Sequence, residues 1–177
     1  MPSLIPLANV PADMIEQLLD RAFGPGRHAR TAYRIREGTD WLEALSFAAL
    51  DDDDLLVGTI QTWPVALTDP EGRAHALLMV GPVAVLPEHQ KAGYGKALML
   101  AVLDAIDRTD PPSAILPQVM IGDPEYYGRF FGFSAEHTGG WHCPGPNDPR
   151  RLLARHPNPA VLPAEGMLGP WTVEETA

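Results

Sequence analysis

The sequence predicts a mixed α/β fold, and three observations carry this prediction. The β-branched, nearly uncharged segment from Val80 to Leu86 predicts a buried strand. Apolar residues after Gly95 recur at helical spacing, so a helix follows that strand. Apolar runs earlier in the chain are separated by turn-forming residues at 51–54 and 69–72, which predicts antiparallel hairpins. The chain therefore combines a sheet with helices.

The elements before the strand at 80–86 follow from local signals. Pro11 begins a helix and Gly24 ends it, with apolar residues on one face between them. The remaining elements of this half are a first strand at Ser3 to Ala8, a short helix around Ala32 to Arg36, and strands at Trp41 to Leu50, Leu55 to Val65 and His75 to Leu86.

The second half is more ambiguous. The helix after Gly95 ends near Asp107. The next strand, about 114–121, contains Pro117, which indicates either a bulged strand or one that begins only at Gln118. Further elements are expected in the order of a short aromatic helix, a last strand near Ser134 to His142 paired beside the strand at 114–121, and one short helix around Arg150 to Arg155 in an otherwise irregular tail.

Composition limits the class of protein. With 177 residues and 45% hydrophobic content, we expect a single domain over 1–177, with the proline-rich extension 144–177 packed on it. No apolar run is long enough for a membrane span and the N-terminus does not resemble a secretory signal. One cysteine, Cys143, excludes an intrachain disulfide framework and suits the cytoplasm. The net charge of −10 argues against nucleic-acid binding; it either favours cationic substrates such as amines or only aids solubility.

The segment from Gln90 to Gly95, Gln-Lys-Ala-Gly-Tyr-Gly, lies between the strand and the helix. Glycines here allow a close approach of backbone to ligand, and the helix N-terminus favours an anion such as phosphate. A dinucleotide-binding loop requires Gly or Ala where Leu98 stands. A P-loop requires Gly at Gln90 and Ser or Thr at Ala97. Neither pattern fits.

Two segments resemble the GNAT N-acetyltransferase superfamily. Gln90 to Gly95 resembles its Gln/Arg-x-x-Gly-x-Gly/Ala loop, which binds the pyrophosphate of acetyl-CoA. Residues 119–133, VMIGDPEYYGRFFGF, resemble a predicted bacterial acetyltransferase subgroup with a Gly-Asp-Pro-x-Tyr-Tyr segment before Gly-Phe. This chain has one residue more than that pattern between the tyrosines and Gly132.

The resemblance implies a fold, a cofactor and a set of site residues. The fold is a mostly antiparallel sheet with a splayed parallel strand pair, flanked by helices, and the cofactor is acetyl-CoA (coenzyme A). The implied catalytic acid is Tyr127, with Tyr126 as the alternative, because a phenol of pKa about 10 can protonate the leaving thiolate. The implied cofactor-binding residues are Val83, Ala84 and Val85 on the strand and Gln90, Lys91, Ala92, Gly93, Tyr94, Gly95 and Lys96 in the loop.

The implied function is an N-acetyltransferase acting by direct attack of an amine on the thioester. The acceptor is an amine of a small molecule or a peptide, and the family also includes homodimers. No general base is assigned, because His75, His137 and His142 qualify only by residue type. Metal-ligand spacing is absent. The alternative is a non-catalytic acyl-CoA-binding sensor or assembly module. The segment 25–40 and the proline-rich tail are where we expect acceptor specificity.

Overall fold

A computed structural model describes residues 2–171. The chain divides into two compact units, each described by itself below. The first comprises Met1–Ala29, Trp41–Thr62 and Val80–Ile115. The second comprises Arg30–Asp40, Trp63–Met79 and Leu116–Ala177. Organisation as a single domain stays a prediction.

The first unit contains a sheet covered by helices. Its strands follow the order β1 (Ser3–Pro6), β2 (Phe47–Leu50), β3 (Leu56–Thr68) and β4 (Ala74–Val85), of which β3 and β4 continue into the second unit. Its helices are α1 (Ala12–Phe23) and α3 (Tyr94–Asp107). Their apolar faces are buried, as the periodicity predicts; the residues are Ile15, Leu18 and Leu19 on α1 and Leu98, Met99, Val102, Leu103 and Ile106 on α3.

The second unit contains the other half of the sheet. β4 pairs in parallel with β5 (Gln118–Ile121), and β5 pairs antiparallel with β7 (Leu152–Arg155). β8 (Glu165–Pro170) pairs antiparallel with β3 and in parallel with β6 (Gly140–His142). The helices are α2 (Thr31–Ile35), which packs on β8, and α4 (Pro124–Phe131). The fold is thus the mixed, mostly antiparallel sheet with helices that the sequence predicts.

Helices were predicted well because their ends carry local signals. α1 follows Pro11 and stops at Gly24, whose φ of 88° suits glycine. α4 begins after Asp123, whose side chain accepts a hydrogen bond from the Glu125 N–H, and ends at Gly132 with φ 77°. The short helix α2 and the strands β1, β3 and β4 also lie within a few residues of their predicted bounds, whereas β2 begins at Phe47 and not at Trp41.

In the second half, one alternative is confirmed and two expectations are wrong. β5 begins at Gln118, the second of the two alternatives, so Pro117 precedes the strand, and the Pro117 carbonyl accepts from the Leu78 N–H. The expected strand at 134–142 is only β6, which pairs with β8 and not beside β5. The expected helix at 150–155 is mostly a strand, β7, which is the real neighbour of β5. Tertiary pairing overrides weak local propensity in these short segments.

Candidate active site

The loop before α3 exposes backbone N–H groups at a helix start. Lys91 and Gly93 adopt left-handed φ angles of 75° and 87°. When left-handed and right-handed backbone conformations alternate, successive N–H groups point toward the same concave side. The first bond of α3 runs from the Ala97 N–H to the Gly93 carbonyl, and no side chain caps the helix start. The N–H groups of Tyr94 and Gly95 therefore lack intrahelical acceptors. Such a loop can hold an anionic phosphate group.

Gln90 and Glu88 fix the approach to this loop. The Gln90 side-chain amide donates to the Val85 carbonyl at 3.4 Å, which ties the loop to the end of β4. Arg21 on α1 forms an ion pair with Glu88 at 2.5 Å. The pKa of Glu88 is lowered, first by a hydrogen bond from its own backbone N–H and then by Arg21. The loop is therefore anchored to both β4 and α1.

The end of β4 presents backbone groups on the edge opposite β3. The Leu86 N–H donates to the Val57 carbonyl, and the Ala84 carbonyl lies toward Gly58, so Ala84 and Leu86 face β3. Because successive residues of a strand alternate, the N–H and C=O groups of Val83 and Val85 face the other edge. Extended polar backbone of this kind can pair with the amide groups of a ligand.

A bulge in β4 produces this orientation. The Leu78 N–H donates to the carbonyl of Pro117, the residue before β5, so even-numbered residues of β4 face β5 at the start of β4. At the end of β4 the odd-numbered residues Val83 and Val85 face this edge instead. The pattern therefore shifts by one residue between Leu78 and Val83, as it does at a β-bulge. Gly81, with φ 122°, lies in this interval and is followed by Pro82, which has no N–H. The described pairing of β4 with β5 covers only Leu78 and Met79.

Two glycines allow α3 to lie close to the strands beneath it. A Cβ on Gly58 would lie 3.1 Å from the Ala84 carbonyl oxygen and 3.2 Å from Leu98 of α3. Gly95 lies over the side chains of Val83 and Val85, with 3.9 and 3.8 Å to a Cβ built at that position. At Gly93 the same Cβ would meet nothing within 4 Å. Space for a Cβ at Gly93 is therefore not the constraint; its left-handed φ is what favours glycine there. Binding of a pyrophosphate by this loop stays a prediction.

Tyr127 on α4 packs against the backbone of the second unit. A Cβ on Gly122 would lie 2.6 Å from Cε2 of Tyr127, so only glycine leaves space for this ring. Burial raises the pKa of the Tyr127 phenol, and Tyr126 and the Asp123 carboxylate raise it further, while Arg151 lowers it. The phenol therefore keeps its proton at neutral pH and can donate it.

Tyr126, the alternative acid, has different surroundings. Its ring is 37% exposed and contacts other aromatic rings, with centroids 5.0 Å from Tyr127 and 5.3 Å from Phe130. The extra residue in the segment does not disturb α4, which ends at Gly132. The surroundings of Tyr127 suit a proton donor better than those of Tyr126, and the assignment stays a prediction.

Near α2, two arginines that the sequence singled out, Arg34 and Arg36, contact residues that it did not. Arg36 is 5% exposed, and its guanidinium carbon lies 4.1 Å from the Tyr33 ring centroid and 4.2 Å from that of Trp63. Arg34 donates through Nη1 to the Pro144 carbonyl at 3.2 Å. Trp63 was not predicted to take part, because nothing local in β3 signals a partner on α2. The only feature of the sequence that could have indicated this contact is the position of Trp63 at the end of an apolar run.

Two histidines that were candidate bases, His75 and His142, lie in the second unit. His75 contacts Asp69 at 2.9 Å in the turn between β3 and β4, and this hydrogen bond lowers the pKa of Asp69. His142 lies on β6 and is exposed. Within residues 2–171, no cluster of three or more His, Cys, Asp or Glu side chains is arranged to bind a metal ion. No helix in this range has the length and apolar character needed to span a bilayer.

Comparison with known protein families assigns the chain to a class. The family model described as "Acetyltransferase (GNAT) domain" matches residues 9–135, which include the loop before α3, the end of β4 and α4. The chain belongs to the GNAT acetyltransferase family. No curated protein sequence matches it significantly.

Solved structures agree on the fold. The GNAT family N-acetyltransferase YhbS from Escherichia coli, in complex with CoA, has a TM-score of 0.69 and 22% identity, covering 96% of this chain and 89% of that chain. A GNAT family acetyltransferase from Brucella melitensis, in complex with acetyl-CoA, has a TM-score of 0.51 and 25% identity, with coverages of 89% and 97%. Arabidopsis thaliana Naa50, in complex with the bisubstrate analogue CoA-Ac-MVNAL, has a TM-score of 0.51 and 18% identity, with coverages of 86% and 95%.

Proposed function

We propose that this protein is an N-acetyltransferase that transfers an acetyl group from acetyl-CoA to an amine of a small molecule or peptide. The observation that carries the proposal is the loop at Lys91 to Gly95, with its left-handed residues, directly after the outward-facing backbone of Val83 and Val85. Bound acetyl-CoA supplies an activated thioester. The related proteins crystallised with CoA or acetyl-CoA support the same cofactor.

The residues of the loop and the strand would bind and orient this cofactor. Backbone N–H groups between Lys91 and Lys96, apart from that of Ala92, which donates to the His89 carbonyl, would hold the pyrophosphate at the helix start, where the helix dipole favours negative charge. The outward-facing N–H groups of Val83 and Val85 and the Val83 carbonyl would pair with the amides of the pantetheine arm, since the Val85 carbonyl already accepts from Gln90. Hydrogen-bonded orientation of this kind lowers the entropic part of the barrier.

Tyr127 would act as the proton donor to the leaving thiolate. Its phenol is held protonated by burial and by the nearby Asp123 carboxylate, so the proton is present at neutral pH. The acceptor amine attacks after losing its own proton. We assign no side chain as the base, and the proton passes to solvent.

The test follows release of free thiol from acetyl-CoA against a panel of small amines and lysine-containing peptides. The proposal predicts turnover with at least one acceptor and a large loss for Tyr127→Phe. CoA binding, measured as a rise in melting temperature, should persist in that variant. Binding of CoA without turnover on any acceptor would instead support the non-catalytic acyl-CoA-binding module.

A further inference from the structure

The carboxylate of Glu88 lies close to the loop before α3. Glu88 is in the middle of the short 3₁₀ turn Pro87–His89, which connects β4 to that loop. This turn contacts the start of α3, because the Ala92 N–H donates to the His89 carbonyl and the His89 and Tyr94 rings meet edge-on with centroids 6.0 Å apart. An acidic side chain next to His89 therefore stands near the N-terminus of α3.

Glu88 has a local role in its turn, but its charge opposes phosphate binding. Its pKa is lowered first by a hydrogen bond from its own backbone N–H and then by Arg21, so the carboxylate is ionised at neutral pH. The hydrogen bond to the backbone explains why an acceptor side chain suits this position. The negative charge, however, would repel the phosphates of a cofactor bound at the adjacent loop.

Arg21 on α1 is placed to cancel this charge. Its Nη2 atom lies 2.5 Å from Oε1 of Glu88. Asp20, the neighbour of Arg21 on α1, accepts instead from Nε of Arg27 at 2.9 Å, and Glu16 also pairs with Arg27. The side chain of Arg27 is only 2% exposed, so these two acids of α1 are compensated by a buried guanidinium. Arg21 thus pairs with the acid of the loop and not with those of its own helix.

The charge of the whole chain makes this local compensation matter. A net charge of −10 repels a cofactor that carries several phosphate charges. Within 88–96, Lys91 and Lys96 supply the positive side chains, and Glu88 offsets one of them. Pairing of Glu88 with Arg21 leaves the charge of both lysines uncompensated. The loop is then positive in an otherwise acidic protein.

We propose that Arg21 promotes cofactor binding by compensating the charge of Glu88 beside the loop, without itself contacting the phosphates. This inference rests on the proposed function, which puts acetyl-CoA at this loop. Arg21 acts through Glu88 and is a positioning residue, not a catalytic one. Both side chains of the pair are about half exposed, and such pairs contribute little to stability. Its main effect should therefore be on cofactor affinity.

The experiment measures CoA affinity by calorimetric titration at low and high salt. At about 0.05 M salt, Arg21→Gln should weaken CoA binding by about 3- to 5-fold, the upper part of the range for exposed charge pairs. Glu88→Gln should bind CoA at least as tightly as wild type, because an amide oxygen still accepts from the backbone N–H while the charge is gone. The double variant Arg21→Gln/Glu88→Gln should return to the wild-type affinity. At about 1 M salt, where the Debye length is about 3 Å, these differences should disappear.

A matched control is available at the other end of α3. Arg108 forms an exposed ion pair with Asp104 at 2.9 Å and follows the last residue of the helix, about 20 Å along its axis from the loop. Arg108→Gln changes the net charge by the same amount as Arg21→Gln and should leave CoA affinity unchanged. An equal loss in both variants would mean that only the net charge of the protein matters, which would overturn the inference.

Three further results would overturn it. Unchanged CoA affinity in Arg21→Gln would mean that Glu88 does not repel the cofactor. Weaker binding in Glu88→Gln would mean that the pair acts as a mechanical brace. A double variant as weak as Arg21→Gln would mean that Arg21 contacts the phosphates directly. Thermal melting without CoA, which should be nearly equal in all variants, shows that the changes in affinity do not come from unfolding.

The binding measurement separates this inference from the proposed function. In turnover assays, the KM for acetyl-CoA should follow the same order as the CoA affinities while kcat stays constant. CoA binding that depends on Arg21 and Glu88 in this way, without turnover of any acceptor, would refute the acetyltransferase function and keep the inference. Turnover with equal KM values for acetyl-CoA in the wild type and Arg21→Gln would do the reverse. Absence of both CoA binding and turnover would refute both.

Discussion

The ring of Tyr127 lies directly on the backbone of Gly122, so close that a Cβ at position 122 would come 2.6 Å from Cε2 and 2.8 Å from Cδ2. Gly122 immediately follows β5, and Asp123 caps α4, on which Tyr127 lies. The position of the phenol is therefore set by a strand end, a helix cap and a missing side chain.

Substituting Tyr127 tests whether its hydroxyl is the proton donor. Tyr127→Phe should lower kcat by about 10²-fold, the lower end of what a general acid contributes, and leave CoA binding unchanged. Tyr126→Phe is the control on the adjacent, more exposed ring and should retain activity. Steady-state kinetics with a saturating acceptor distinguishes the two. A larger loss in Tyr126→Phe would assign the acid to Tyr126 instead.

Gly122→Ala should displace the same ring without removing its hydroxyl. We expect kcat to fall and the KM for acetyl-CoA to change little, because the ring must move away from the new methyl group. The control is Gly139→Ala, where the added methyl group meets no atom within 4 Å. Full activity in Gly122→Ala would show that the position of the Tyr127 ring does not matter for the reaction.

The pH dependence of stability should reflect the buried phenol. The folded-state pKa of Tyr127 lies above its ordinary value of about 10. Its contribution to stability is therefore fully present below about pH 10 and is lost as pH rises through the higher folded-state pKa. In urea unfolding series the wild-type protein should lose more stability than Tyr127→Phe across this alkaline range. Parallel losses would mean that the phenol is not desolvated.

Gly93 tests the loop before α3. Gly93→Ala and Gly72→Ala place the same methyl group at nearly the same backbone angle, φ 87° and 86°, and neither Cβ meets an atom within 4 Å. Each should cost about 1–2 kcal/mol of stability through the left-handed conformation. Only Gly93→Ala should weaken CoA binding, by about tenfold if 1.4 kcal/mol is lost. Calorimetric titration with CoA measures this, and equal affinities in the two variants would remove the loop from the binding site.

Local signals predicted most of the first unit and the loop, because prolines, glycines and caps act within a few residues of each helix end. The loop before α3 could be predicted for the same reason, because its glycines are close together in the sequence. The strands β7 and β8 were missed, since Leu152–Arg155 is a strand only through pairing with β5. The contact between Arg34 and Pro144 joins residues 110 positions apart, and no local pattern indicates it. The pairing of the C-terminal strands with distant strands therefore could not be predicted from local sequence patterns.

The C-terminal segment should therefore contribute to stability as part of the fold. Leu168 on β8 is 1% exposed and lies in the core of the second unit, whereas the adjacent Met167 is 47% exposed. Leu168→Ala should lower the free energy of unfolding by about 2–5 kcal/mol, and Met167→Ala by no more than about 0.5 kcal/mol. Urea unfolding followed by circular dichroism compares them. A small effect of Leu168→Ala would mean that the tail packs only weakly.

Cys143 should react slowly with thiol reagents in the folded protein. Burial raises its pKa to about 11, so little thiolate exists at pH 8. The higher nucleophilicity of a more basic thiolate offsets only part of this, and we expect modification by a disulfide reagent to be at least about 10-fold slower than in urea. Cys143→Ser, which removes the only cysteine, gives the zero-rate control. Since the folded-state pKa exceeds the unfolded one, the thiol's contribution to stability is present at neutral pH and is lost as pH rises toward 11. Modification as fast in the folded protein as in urea would show that Cys143 is not desolvated, and thiol release from acetyl-CoA would then have to be measured in Cys143→Ser.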